Sequence, residues 1–173
     1  MIRINNTSKD VENLNSYDFS TLHTAIPHAK LKKAMKSIIC RAFEGKGKRC
    51  ISVYSTQAAW TDNPKPTTKA YTQSELIEMV NFLIDNVYVT CGDSTSRQKI
   101  GIPMDTDCAP YLANLFLFYY EHEWMMKTKE TNPKLACQFN KSVRYIDDLL
   151  TINNDGLMNE HMSDIYPKEL ELK

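Results

Sequence analysis

At 173 residues, with 21 basic and 21 acidic side chains and 42% hydrophobic residues, the chain is long enough for one domain with a real core, and it is no polycation. Five cysteines, odd in number and without a Cys-x-x-Cys pair, exclude a zinc ribbon and a disulfide framework. No apolar run approaches about 18 residues and no basic-then-apolar leader opens the sequence, so no membrane partner is expected. An intracellular, reducing compartment is the default, nucleus and cytoplasm undistinguished, and the sequons at Asn5, Asn6 and Asn140 carry no weight.

Residues 1–12 are polar and read as a loose N-terminal segment; residues 13–173 read as alternating helices and short strands without internal repeats. Leu14 to Phe19 reads as a strand with Asp18 at its end. After Pro27, Leu31, Ala34, Met35, Ile38, Ile39, Ala42 and Phe43 recur at helical spacing and form one apolar stripe, with the lysines on the other face. Gly45 and Gly47 end that helix. Between residues 28 and 50 the basic side chains Lys30, Lys32, Lys33, Lys36, Arg41, Lys46, Lys48 and Arg49 meet a single acid, Glu44, whereas residues 147–173 carry seven acids and two lysines. A basic arm and an acidic site suit a protein that handles a polyanion through bound metal ions. Two solvated faces of opposite sign account for the charge equally well.

Cys50 to Trp60 reads as strand structure, followed by a loop at Asn63-Pro64-Lys65-Pro66. Thr72 and Glu75 form a capping box for a helix through Leu76, Met79, Val80 and Leu83. Val87 to Cys91 and Arg97 to Gly101 are expected to pair as a hairpin across Gly92-Asp93. Pro110 suits the first turn of a helix whose residues, Ala109 to Tyr120, are apolar nearly all round, which predicts deep burial. Within Ser142 to Ile152, Asp147 and Asp148 sit between two apolar, β-prone runs, where a hairpin tip falls. Consecutive strand residues point to opposite faces, so this pair converges on one ligand only at a tight turn. Two adjacent like charges are unfavourable without a cation to offset them, and hard oxygen ligands suit Mg²⁺ or Mn²⁺; an ordinary Asp-containing turn is the plainer alternative. A short helix is expected beyond Asn153-Asn154, and Ile165 to Leu172 alternates like an edge strand.

Three of these segments, in order, resemble motifs A, B and C of retroelement reverse transcriptases: Tyr17-Asp18-Phe19-Ser20-Thr21-Leu22, Gly101-Ile102-Pro103-Met104 through Cys108-Ala109-Pro110, and Arg144-Tyr145-Ile146-Asp147-Asp148-Leu149-Leu150. The likeness is to the animal retrotransposon type with a Tyr-Ile-Asp-Asp box, in the neighbourhood of Penelope-like elements. It spans residues 14–172 and includes the helix after Pro27, Phe82 to Asn86, and Asp164 to Leu170. The resemblance implies an α+β reverse transcriptase palm over residues 13–173, a small antiparallel sheet packed on two or three helices. It implies that Asp18, Asp147 and Asp148 are catalytic and hold two Mg²⁺ (or Mn²⁺) ions, Asp18 and Asp147 bridging both, Asp148 supporting one and the Phe19 carbonyl touching the other. Two such ions serve phosphoryl transfer, here template-directed DNA synthesis on an RNA or DNA template-primer from deoxynucleoside triphosphates. Gly101, Pro103 and Met104 would line the floor under the incoming nucleotide, and His23 stands at the sugar-gate position. Lys30, Lys33 and Tyr145 are the nucleic-acid-binding candidates, although an ordinary amphipathic palm helix is the favoured reading of the basic helix. No stable protein partner is indicated.

The chain also departs from the family pattern. Asp105 replaces the glycine expected after Met104, with a second acid at Asp107, adding bulk and negative charge beside a triphosphate. His23 replaces a bulky or aromatic gate. Few residues precede motif A and none follow the motif D region, so fingers and thumb are expected to be missing, with exposed apolar patches and self-association as the consequence. The alternative function is therefore a truncated, catalytically inactive remnant that binds nucleic acid weakly. A metal-dependent nuclease or phosphotransferase on the same carboxylates is a third option, against which stands the lack of a His or Lys placed by motif as general acid.

Overall fold

In the computed structural model, which describes residues 11–104, 106–154 and 156–173, helices and short antiparallel strands alternate and the fold is α+β. The expectations for the loose N-terminal segment, apart from Val11 and Glu12, and for Asp105 fall outside the described residues. The elements run β1 (Leu14–Asp18), α1 (Leu22–Ala25), α2 (His28–Lys46), β2 (Cys50–Val53), β3 (Ala58–Thr61), β4 (Lys69–Thr72) and α3 (Gln73–Asp85). Then follow β5 (Tyr88–Cys91), β6 (Ser94–Arg97), α4 (Ala109–Thr131), α5 (Pro133–Gln138), β7 (Ser142–Tyr145), β8 (Asp148–Ile152) and α6 (Leu157–Ile165). They form two compact units, one of the described residues up to Leu22 with Tyr120–Lys173, the other of His23–Tyr119.

The first unit is built on an antiparallel sheet of order β1-β8-β7. The period of two sorts its residues into two faces. Tyr17, Leu149, Thr151 and the Arg144 side chain are buried on one face, whereas Leu14, Val143, Tyr145, Asp18 and Asp148 stay exposed on the other. One buried and one open face is the common state of an antiparallel sheet. The core around the buried face includes Ala136, Phe139, Met158, Ile165, Tyr166 and Leu170. Phe19 meets Tyr166 edge-on with ring centroids 4.8 Å apart, and Trp124 meets Phe139 at 4.7 Å. Asn153, at φ 51°, accepts the backbone N–H groups of Glu12 and Asn13 through its Oδ1, which ties the end of β8 to the approach to β1. The buried Asn154 accepts the Met158 N–H at 2.7 Å and so steadies the first turn of α6.

The edge strand expected over Ile165 to Leu172 does not form. Ile165 closes α6, the Tyr166 N–H caps it by donating to Met162 O, and Leu170 N–H closes a turn on Pro167 O. Those bonds use the groups a ladder would need, and burial of the adjacent residues Ile165 and Tyr166 breaks the alternation of a strand with one buried face. Lys173 alone exchanges two backbone hydrogen bonds with Asp18, of 2.8 and 3.0 Å.

In the second unit α2 packs on α3, and β2 is the centre of a sheet of order β3-β2-β4. The α2 stripe buries Leu31, Ala34, Met35 and Phe43. Gly45 lies within the helix; Gly47, at φ 59°, is the residue that ends it, its N–H reaching back to Phe43 O and Glu44 O. The capping box forms as expected, Thr72 Oγ1 accepting the Glu75 N–H and Glu75 accepting the Thr72 N–H. Strand β4 was not anticipated, its four residues being too short a signal. The hairpin across Gly92-Asp93 exists, but its second strand is Ser94–Arg97, because a two-residue loop registers Cys91 against Ser94. The expected all-round burial of the Ala109 helix is also corrected. Leu112, Ala113, Phe116 and Leu117 are buried, whereas Tyr111 is 73% exposed and Leu115 and Phe118 remain open. Among the described residues no helix is long and apolar enough to cross a membrane.

Candidate functional site

Strands β7 and β8 are joined by Ile146 and Asp147 alone, with Tyr145 opposite Asp148. Ile146 takes φ 54° and Asp147 does not share the positive φ, the pattern of a hairpin turn whose first loop residue is ordinarily glycine. A β-branched residue there is strained. Neighbouring β1 sets Asp18 directly opposite Asp148. Asp18, Asp148 and Tyr145 thus form one row across the open face of the sheet, and directly opposed residues bring their Cβ atoms to about 5 Å. Asp147 lies beside the row in the turn, its carbonyl accepting the Phe19 N–H at 3.1 Å. Phe19 is buried and its own carbonyl accepts the Leu22 N–H, which leaves one lone pair.

The four residues expected to hold metal, Asp18, Phe19, Asp147 and Asp148, are therefore brought together along the chain fold. Among the described residues, however, no three His, Cys, Asp or Glu side chains are closed on one another tightly enough to hold an ion. Asp18 and Asp148 are exposed and Asp147 is half-buried. Tyr145, one of the nucleic-acid candidates, is 75% exposed on the same face.

Behind the turn lies a polar network that the sequence reading missed. Arg144 follows the strand alternation to the face opposite Tyr145, where its side chain is only 8% exposed. Its Nε and Nη2 donate to Glu121 Oε1 and Oε2 at 2.5 and 3.1 Å, a two-pronged clamp, and its Nη1 donates to Ile146 O at 2.8 Å. The Tyr166 hydroxyl donates to Glu121 Oε1 at 2.9 Å. Burial, together with the Glu121 carboxylate, holds that hydroxyl well above its ordinary ionisation range. The signal available in the sequence was the arginine next to the Tyr-Ile-Asp-Asp box, one position out of phase with the exposed tyrosine.

The remaining candidates belong to the second unit. Gly101 is buried at φ 82°, its N–H donating to Ile26 O at 2.8 Å and its carbonyl meeting His28 Nε2 at 2.8 Å. The next residue, Ile102, donates to His23 O at 2.7 Å. Gly101 and His23 are thus brought together, with Pro103 half-buried and Met104 68% exposed alongside. His23 Nδ1 is buried without a hydrogen-bond partner among the described residues. A groove of about 830 Å³ passes Leu83, Tyr88, Gly101, Pro103 and Asp107. Lys33 is exposed and Lys30 half-buried on α2. Part of the basic excess is spent within the unit: Lys32 pairs with Asp85 at 2.5 Å, and Lys48 and Arg49 both bond Asp62.

No family model matches the sequence, and no curated protein matches it. Among solved structures, the chain is similar to telomerase from Candida albicans in complex with a TWJ fragment of telomeric RNA, with a TM-score of 0.55 and 15% sequence identity. The match covers 88% of this chain and 24% of that one, so this chain spans about a quarter of the telomerase's length. At that identity the likeness is one of fold.

Proposed function

We propose that the chain is a reverse transcriptase-like palm domain of retroelement type, in which Asp18, Asp147 and Asp148 hold divalent cations for template-directed DNA synthesis. The observation that carries this reading is the register: Asp18 opposite Asp148 across β1 and β8, with Asp147 in the adjoining turn, on the open face of the sheet. The order of the three motifs supports it. So does the fold likeness to a telomerase solved with a fragment of telomeric RNA, which is in keeping with a nucleic-acid partner.

The donor set fits a hard cation. Three carboxylates and the free lone pair of the Phe19 carbonyl are all oxygen ligands, the preference of Mg²⁺ and Mn²⁺. When bound, a pair of such ions neutralises charge on the transferring phosphoryl group and activates the primer 3′-hydroxyl. The protein's share is positioning. Two paired strands fix Asp18 and Asp148, the two-residue turn fixes Asp147, and reaction rates respond steeply to such placement. On the same face Tyr145, Val143 and Leu14 offer apolar and aromatic surface on which a base or sugar can rest. In the second unit, the missing side chain of Gly101 lets its backbone pack on the His23 and Thr24 carbonyls, which sets Pro103 and Met104 beside His23 as the candidate floor for a nucleotide, and Lys30 and the exposed Lys33 lie on α2 as candidates for phosphate contact.

Primer extension on RNA and on DNA templates, with Mg²⁺ or Mn²⁺ and deoxynucleoside triphosphates, tests the proposal, using Asp147→Asn as the blank. Extension above that blank is the expected result. A folded protein that extends neither template refutes catalysis. Repeating the assay with Asp105→Gly shows whether that acid suppresses turnover.

A further inference from the structure

We infer that Arg144, Glu121 and Tyr166 are positioning residues for Asp147: they hold the strained turn that presents it, and they keep a buried arginine from competing with a cation. This rests on the reading of Asp18, Asp147 and Asp148 as a metal-holding set. Ile146 is a β-branched residue at φ 54°, a conformation that persists only where its surroundings over-determine it. The surroundings here are two hydrogen bonds on the loop backbone. Arg144 Nη1 holds Ile146 O at 2.8 Å from the buried side, and the Phe19 N–H holds Asp147 O at 3.1 Å from the neighbouring strand.

Arg144 can do this only if its own orientation is fixed. Glu121 takes the Nε–Nη2 edge of the guanidinium with both of its oxygens, and the Tyr166 hydroxyl takes up a lone pair of the same carboxylate. The network lines a cavity of about 170 Å³ whose other walls include Trp124, Phe139 and Met158, and with the Arg144 side chain and Tyr166 buried its bonds are partly shielded from water. Charge leads to the same conclusion. An arginine three residues from Asp147 and four from Asp148 would, if released, pair with either carboxylate and repel a cation. Paired with Glu121 on the opposite face, it adds no net charge, and the negative potential of the carboxylate row is left intact.

The test uses the full chain and two variants, Glu121→Gln, which keeps volume and one acceptor, and Tyr166→Phe, which removes only a hydroxyl. Two quantities are read in each: the hydrogen-exchange rate of the Phe19 amide against amides of the β1–β8 ladder, and Mn²⁺ affinity from the resonance of free Mn²⁺. Groups that orient metal ligands change affinity by about 10- to 100-fold when mutated. In Glu121→Gln the Phe19 amide is expected to exchange about tenfold faster relative to the ladder amides, and Mn²⁺ to bind about tenfold more weakly; Tyr166→Phe changes both in the same direction by less. Unchanged Phe19 exchange and unchanged affinity in both folded variants would overturn the inference. A rise in Phe19 exchange no greater than that of the ladder amides would also overturn it, since that marks only a general loss of stability. If wild type binds Mn²⁺ no better than Asp147→Asn while Phe19 exchange still responds, the metal reading fails and the turn-holding role stands.

Discussion

Replacing Gly101 with alanine adds one methyl group where the second unit leaves no room for it. The Cβ would lie 2.5 Å from His23 O, 2.9 Å from Thr24 O and 2.8 Å from Gln98 Nε2, and the first two are backbone atoms that cannot swing away. The residue is also at φ 82°, where an L side chain costs about 1–2 kcal/mol. Relief of the clash requires the chain at 101–102 to move off residues 23–26, which breaks the Gly101–Ile26 and Ile102–His23 backbone bonds at about 1 kcal/mol each. Gly101→Ala is therefore expected to destabilise by about 3–4 kcal/mol. Two other glycines separate the contributions. Gly92 is at φ 58° with nothing within 4 Å of an added Cβ, so Gly92→Ala carries only the backbone cost of about 1–2 kcal/mol. Gly45 is helical with open space around it, so Gly45→Ala should stabilise by about 0.5–1 kcal/mol. Urea denaturation followed by circular dichroism, at constant m-value, measures all three. A Gly101→Ala loss no larger than that of Gly92→Ala would refute the steric argument and, with it, the role of Gly101 in joining this loop to His23.

Ile146→Gly should change stability by no more than about 1 kcal/mol, because relief of left-handed strain offsets the lost side chain and the added unfolded-state entropy; a loss above about 2 kcal/mol in the same denaturation assay would show the turn to be unstrained. The raised Tyr166 value means that the folded state keeps its proton longer than the unfolded chain. That stability is present below about pH 10 and is lost as pH rises through the folded value, so thermal melting should fall in strong alkali. Tyr166→Phe should flatten that alkaline limb while losing about 1.5–3 kcal/mol at neutral pH, the worth of a bond to a charged acceptor. Asp85 runs the other way. The Lys32 hydrogen bond holds its carboxyl below the ordinary range, so its contribution is present above about pH 4 and is lost as pH falls through the folded value. Asp85→Asn should flatten the acid limb of a melting-temperature profile, and an unchanged limb would show that the pair does not persist in solution.

Local signals in the sequence determined much of this protein. The apolar stripe of α2, the reciprocal cap of Thr72 and Glu75, the Gly92-Asp93 hairpin and the Asp147-Asp148 turn each depend on residues within a few positions of one another, where period and turn chemistry act directly. Alternation of helices and strands left the sheet direction open, and the α+β class was what the resemblance of the three motifs implied. Tertiary structure decided what needed a distant partner. The opposition of Asp18 and Asp148 joins segments from opposite ends of the chain, and only the β1–β8 ladder sets that register. The course of Ile165 to Leu172 depended on Tyr166 reaching Glu121 and on Leu170 entering the core, which outweighed an alternating pattern suited to a strand. The half-open face of α4 was hidden because an all-apolar helix carries no phase from which to read its buried side. Arg144 is the clearest case. Its place beside the carboxylates was visible, but its burial became favourable only once a glutamate from α4 and a tyrosine from the end of α6 satisfied its charge.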